Sequence, residues 1–242
     1  MPSEGPTILA FDTSGPTCTV GLVRDAVTLA SRCTATPAAP SEGLLPLVEA
    51  CMREAGLAVG DLGGLVVGRG PGSFTGTRIA VSTAKGLALG AGLPVWGVSS
   101  LEAAALDAGW VDGPVVLVLD ARRGELLVGA WRVVSGSRLA GPSRIEAPGL
   151  EVIREPSLAA PTAMPDLLDS LGPDPLLLVG DGPDAYPEGF AGHRRRDPPE
   201  ALILDPRSLV LPALERIAGG RGDDPDALVP VYSRPPPVHG RC

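Results

Sequence analysis

The chain has 242 residues, enough for one large domain or two of about a hundred residues each. Lys and Arg number 20 and Asp and Glu 28, a net charge of −8 that excludes a free-standing nucleic-acid binder and a polybasic membrane anchor. The 32 Gly and 27 Pro make up about a quarter of the chain, yet Val, Leu, Ile and Ala arrive in compact runs that can be buried, so a folded chain is expected. The longest uncharged stretch, Gly86 to Leu101, is broken by Gly90, Gly92 and Pro94, whereas a membrane span needs ~20 apolar residues. Met1 to Pro6 carries no basic n-region, so no signal peptide is expected. Cys18, Cys33, Cys51 and Cys242 share no CxxC spacing, and a reduced, cytoplasmic compartment is the simple reading.

In chain order, Thr7–Asp12 reads as a buried strand ending in a carboxylate, followed by a Gly15-Pro16 turn. Cys18–Val23 and Val27–Cys33 complete a three-strand meander. Ser41 is a candidate N-cap, and Leu44, Leu45, Val48, Met52 and Ala55 share one helical face that Gly56 can close. Leu65–Val67 is a short strand leading into Gly68–Gly76, after which Thr77–Gly92 reads as a helix of small residues. Pro94–Val98 is a strand, and Ser99–Ala108 a helix capped by Ser99 or Ser100. Val115–Asp120 and Glu125–Val134 form a second hairpin. Most prolines lie after residue 140, so Pro142–Pro175 is expected to be loop-rich, with a helix near Asp166–Leu171. Leu176–Val179 is a strand, Arg207–Ile217 a helix, and Pro235–Pro237 an extended tail. Strands alternating with helices indicate an α/β fold.

The second half restarts the first. Asp12 is followed by Val20-Gly21, and Asp120 by Val128-Gly129 at the same offsets. Val67-Gly-Arg-Gly-Pro71 with Phe74 matches Val179-Gly-Asp-Gly-Pro183 with Tyr186. Pro94-Val-Trp96 is echoed by Pro230-Val-Tyr232. Asp and Gly commonly follow strands in α/β proteins, but three echoes in the same order favour two similar domains. The division is expected at 1–105 and 106–225, with 226–242 a tail that returns to the first domain.

Residues 65–102 carry a specific signature, Val-Val-Gly-Arg-Gly-Pro-Gly-Ser-Phe-Thr-Gly-Thr-Arg-Ile running on to Gly-Val-Ser-Ser-Leu-Glu102. With Ile8–Ser14, Ser41–Pro46, Asp120–Glu125, Val179–Gly182 and Pro230–Tyr232, it closely resembles the bacterial TsaB (YeaZ) family over essentially the whole chain. The resemblance implies an actin-like (ASKHA, RNase H-like) fold of two duplicated domains. It implies a part in making threonylcarbamoyladenosine at position 37 of tRNAs that read ANN codons. The member of this family is not the catalyst. It pairs with its paralogue TsaD, which transfers the threonylcarbamoyl group, and the ATPase TsaE binds the pair. Alone it forms a homodimer, and tRNA is met only through the complex. Many relatives carry a His before the Ser-Glu pair where this chain has Pro40.

Each motif also has a plainer reading. Gly68–Gly76 lacks the Walker pattern and nearly fits a dinucleotide fingerprint, but a strand-to-helix turn capped by Ser73 or Thr75 explains its composition. Asp12 and Asp120 stand where an active ATPase of this fold holds metal and phosphate, though each suits an Asx-type turn role. A vestigial nucleotide site would comprise Asp12, Thr13, Ser14, Gly70, Gly72, Ser73, Thr75, Gly76 and Asp120. Arg78 lies near the start of a helix, where the dipole disfavours a cation; a carboxylate partner, within the chain or on another subunit, would offset that. Leu44, Leu45, Val48, Met52, Arg78, Thr83 and Lys85 are the candidate partner interface, because small residues on the 77–92 helix allow a second helix to approach. Arg122, Arg123 and Arg194–Arg196 are candidate anion contacts or solvated turns. His193 and His239 have no metal-ligand spacing, so neither metal nor cofactor is expected. The competing readings are an actin-like ATPase or small-molecule kinase and, more weakly, a metallopeptidase.

Overall fold

A computed structural model describes residues 5–35, 40–109, 112–138, 146–173, 175–191 and 204–234. The first sheet holds β1 (Thr7–Asp12), β2 (Thr17–Arg24), β3 (Val27–Ala35), β4 (Leu62–Gly68) and β5 (Val95–Val98), in the order β3-β2-β1-β4-β5. The meander is antiparallel, and β4 and β5 add in parallel. The second sheet holds β6 (Pro114–Asp120), β7 (Leu126–Arg138), β8 (Glu146–Ala159) and β9 (Leu177–Val179), in the order β8-β7-β6-β9. Its first three strands are antiparallel and β9 joins β6 in parallel, so the second lobe repeats the strand order of the first. This is an α/β actin-like fold.

Both faces of each sheet are covered, so the central strands are apolar at every position rather than alternating. Leu9 and Phe11 face α1 (Pro40–Ala55) and α2 (Phe74–Ala91) on the outer side of the first sheet. Ile8 and Ala10 face inward, onto a core shared with Val115, Leu117 and Trp131 of the second sheet. Between the sheets lie α3 (Ser100–Asp107), α6 (Pro206–Val210) and α7 (Leu214–Ala218). On the outer face of the second sheet, α4 (Met164–Ser170) and α5 (Gly182–Ala185) cover Val116 and Val118. The close approach of α6 to β2 requires Gly21, since a Cβ there would overlap the Pro206 ring.

Four sequence expectations change. The loop-rich segment after Pro142 contains the 14-residue strand β8. Its prolines are tolerated because β8 is an edge strand, and Pro148 and Pro156 both sit where the pairing with β7 slips register. The 207–217 helix is divided into α6, a 3-10 turn at Leu211–Ala213 and α7, because Pro212 has no N–H for a continuous ladder. Helix α2 begins at Phe74, three residues earlier than expected. Pro230–Tyr232 forms no strand; the Val231 N–H instead donates to the Arg69 carbonyl at 2.8 Å, so the third echo of the repeat has no structural counterpart.

Among the described residues no helix is long and apolar enough to cross a membrane. His193, Arg194–Arg196, Pro235–Pro237, His239 and Cys242, with the side chains of Ser41 and Glu42, lie outside the described residues.

Candidate functional site

A cleft of about 560 Å³ opens between the lobes where β1 and β6 end. Its first wall is built around Asp12, 2% exposed. Asp12 Oδ1 accepts the Ser14 N–H at 2.7 Å and the Ser14 hydroxyl at 2.8 Å. Asp12 Oδ2 accepts the Ser100 hydroxyl, and Ser100 Oγ in turn accepts the Gly70 N–H at 2.9 Å. The floor behind this carboxylate is Gly68, where any Cβ would overlap Asp12 Oδ2.

The loop to α2 folds onto the same hairpin. Ser73 N–H donates to the Ser14 carbonyl at 2.7 Å, and Thr13 Oγ1 donates to the Gly76 carbonyl at 2.6 Å. Ser73 caps α2 by accepting the Gly76 N–H at 3.3 Å, while Gly92 ends it with φ 66°. Thr75 lies inside the helix and is exposed, so the cap falls to Ser73 alone. Glycine is needed at Gly72 and Gly76, where a Cβ would meet the carbonyls of Ser14 and Thr13.

The second wall is the hairpin after β6. Asp120 accepts from Arg122 twice, from its N–H at 2.8 Å and its guanidinium at 3.0 Å. Arg122 and Arg123 both adopt left-handed φ, 62° and 60°. The Asp120 N–H donates to Asp181 Oδ1 at 2.8 Å.

Residues 221–234 cross between these walls. Arg221 O accepts the Trp96 indole N–H at 3.0 Å, and the Asp223 N–H donates to the Val95 carbonyl at 2.8 Å. Asp223 Oδ2 accepts the Gly97 N–H at 2.9 Å and pairs with Arg216. Tyr232 then packs on Phe74 with ring centroids 5.0 Å apart, and its hydroxyl accepts from Arg78 Nε at 3.0 Å. Arg234 reaches the other lobe, paired with Glu125 and donating to the Arg122 carbonyl at 3.1 Å.

A family profile described as tRNA N6-adenosine threonylcarbamoyltransferase (TsaD) matches residues 36–145. An uncharacterised Mycobacterium tuberculosis protein is 39% identical over 182 residues, which covers 72% of this chain and 83% of the relative. The Escherichia coli tRNA threonylcarbamoyladenosine biosynthesis protein TsaB is 41% identical over 121 residues, covering 49% and 52%. A solved Pseudomonas aeruginosa protein, described as similar to peptidase YEAZ, superposes with a TM-score of 0.73 at 27% identity, covering 95% of this chain and 100% of that one. The chain belongs to the TsaB (YeaZ) family. Its match spans about half the length of the curated TsaB relatives, 52% for Escherichia coli and 57% for Bacillus subtilis.

For a TsaB-family chain, the hairpin and loop residues singled out from the sequence do converge. Asp12, Thr13, Ser14, Gly70, Ser73 and Gly76 form one bonded knot through Ser100, Gly72 packs on the Ser14 carbonyl within it, and Asp120 faces it across the cleft. The interface set does not stay together. Leu44, Val48 and Met52 are buried against the first sheet and cannot face a partner; of the four interface residues on α1 only Leu45 is exposed, at 47%. The amphipathic period that placed Leu44, Val48 and Met52 on one face marks their packing on β2. Thr83 and Lys85 are half-buried on α2. Among the described residues Arg78 pairs with no carboxylate. It lies 4.4 Å over the Phe74 ring, which supplies the negative face that the helix start does not. Ser100, Tyr232 and Arg234 were missed as site residues. Ser100 carried a signal, since Ser99 takes the cap by accepting the Glu102 N–H at 3.3 Å and leaves its neighbour spare. Among the described residues no group of three or more His, Cys, Asp or Glu is arranged to hold a metal ion.

Proposed function

We propose that this chain is a non-catalytic supporting subunit in the making of threonylcarbamoyladenosine at position 37 of ANN-reading tRNAs. In this reading it pairs with TsaD, is served by TsaE, forms a homodimer alone and works in the cytoplasm. The names of the curated relatives support the pathway. The single observation that carries the non-catalytic part is the state of Asp12. An ATPase of this fold needs that carboxylate free for metal and phosphate, and here three donors of the chain itself occupy it. The net charge of −8 supports contact with tRNA through a partner rather than directly.

The outer faces of α1 and α2 are the proposed partner surface, with Leu45 and the 71% exposed Leu89 as its apolar residues. The deciding experiment is reconstitution of tRNA threonylcarbamoylation from TsaD, TsaE and the threonylcarbamoyl donor, with and without this chain. Product only in its presence is expected; equal product in both overturns the reading. Calorimetry adds the second arm: tight ATP binding by the isolated chain, lost in Asp12→Asn, would instead favour an ATPase. Leu45→Glu is expected to abolish co-purification with TsaD while leaving the fold intact.

A further inference from the structure

Residues 221–234 make their contacts in an order that spans the molecule. Asp223 and Arg221 hold the start of the segment to the edge of β5. Leu228 is 2% exposed and belongs to the core beneath α1 and α2. The Val231 N–H is held by Arg69, just past β4. Up to this point the segment is part of the first lobe.

The last described residues then leave it. Tyr232, Ser233 and Arg234 line the cleft itself. Tyr232 is the anchor on the first lobe, stacked on Phe74 and bonded to Arg78. Arg234, two residues later, is the anchor on the second lobe, where it grips both Glu125 and the Arg122 carbonyl of the hairpin turn. The two attachments differ in kind from the rest of the lobe contact. The shared core beneath is apolar and fixed by burial, whereas this crossing rests on an aromatic pair, two side-chain hydrogen bonds and an ion pair whose side chains are 27% and 43% exposed. Such contacts are weak enough to open locally without unfolding the core.

We propose that residues 232–234 are a latch across the mouth of the cleft: Tyr232 fastens it to α2, Arg234 fastens it to the β6–β7 turn, and its release opens the cleft between Asp12 and Asp120. A segment of the chain itself therefore lines the cleft and bridges its two walls. A ligand or partner that enters the cleft must compete with this segment, and one that binds Phe74 and Arg78 must displace Tyr232.

Hydrogen–deuterium exchange on the full chain tests this. Arg234→Glu places a carboxylate against Glu125, and Tyr232→Ala removes the other anchor. Each is expected to speed exchange of segments 13–19, 70–76 and 120–125 by about three- to tenfold, with segments 8–11, 65–67 and 115–118 unchanged. Adding Glu125→Arg to Arg234→Glu is expected to return the first set to the parent rate. Unchanged exchange in both single variants overturns the latch. So does uniform acceleration that includes the core strands, because the contacts would then serve global stability and not cleft opening. Failure of the charge swap to recover the rate, with each single variant folded, removes Glu125 as the second anchor and overturns the proposal in the form stated.

Discussion

Ser100 donates its hydroxyl hydrogen to Asp12 although 88 residues separate them, and it simultaneously accepts the Gly70 N–H. One side chain thus ties the end of β1, the loop after β4 and the start of α3 into a single buried knot. Ser100→Ala would leave a buried N–H without an acceptor and strip one bond from a buried carboxylate. The expected cost is about 2 kcal/mol, or a Tm lower by about 4–8 °C. Gly68→Ala is expected to cost more, about 4 kcal/mol, because a Cβ there overlaps Asp12 itself. Thermal unfolding of the two variants beside the parent checks both the size and the order.

Adjacent leucines on α1 have opposite fates. Leu44 is 1% exposed in the core beneath the helix, while Leu45 projects outward. Leu44→Ala is expected to lower stability by about 3 kcal/mol through the cavity left on β2. Leu45→Ala is expected to stay within about 0.5 kcal/mol of the parent. Urea unfolding separates them, and equal effects would contradict the inward packing of the Leu44 face.

The β2–β3 hairpin turns through Asp25 and Ala26, both at positive φ, 51° and 58°. Asp tolerates this region, and its carboxylate accepts the Gly5 N–H at 3.2 Å. Ala26 has no such compensation, and Asp-Gly is the favoured pair for a two-residue turn of this hand. Ala26→Gly is therefore expected to stabilise the chain by about 0.5–1 kcal/mol despite the greater freedom of glycine when unfolded. A calorimetric scan showing a lower Tm would contradict it.

Burial raises the Glu102 carboxyl above its ordinary pKa, and Glu155 adds to the shift while Arg216 and Arg69 oppose it. A carboxylate whose folded pKa is raised costs stability when charged, and that cost fades as pH falls through the raised value. Glu102→Gln is expected to raise Tm at pH 7 by about 1–3 °C. The advantage over the parent should shrink toward pH 4, and an advantage that instead grows with acid would reverse the sign of the argument.

Cys18 and Cys51 are buried, and burial pushes both thiols up to about 11. At pH 8 they are neutral as well as shielded, so iodoacetamide is expected to leave them unmodified in the folded chain and to modify exposed Cys33. Peptide mass spectrometry before and after unfolding reads this directly.

Much of the fold is legible in local pattern. Val115–Asp120 and Thr7–Asp12 announce themselves as strands because a sheet covered on both faces needs unbroken apolar runs. Gly68–Gly76 announces a crowded loop, and the tertiary contacts of Gly68, Gly72 and Gly76 give the reason. Strand β8 was hidden because its prolines read as loop, and only its place at the sheet edge makes them acceptable. The face bearing Leu44, Val48 and Met52 was visible as an apolar stripe, but a stripe does not say whether it meets the chain's own sheet or a partner.

The sequence by itself determined the duplicated α/β pattern, the acidic charge and the likeness to the TsaB family, since each is written in residues close together in the chain or in their sum. Tertiary structure decided what the two aspartates do. Asp12 is claimed by Ser14 and Ser100, and Asp120 by the turn that follows it. It also decided where the chain's last described residues go, joining Tyr232 to Arg78 and Arg234 to Glu125. Those pairs lie 154 and 109 residues apart, and no local period encodes a contact that only the packing of two lobes brings within hydrogen-bond reach.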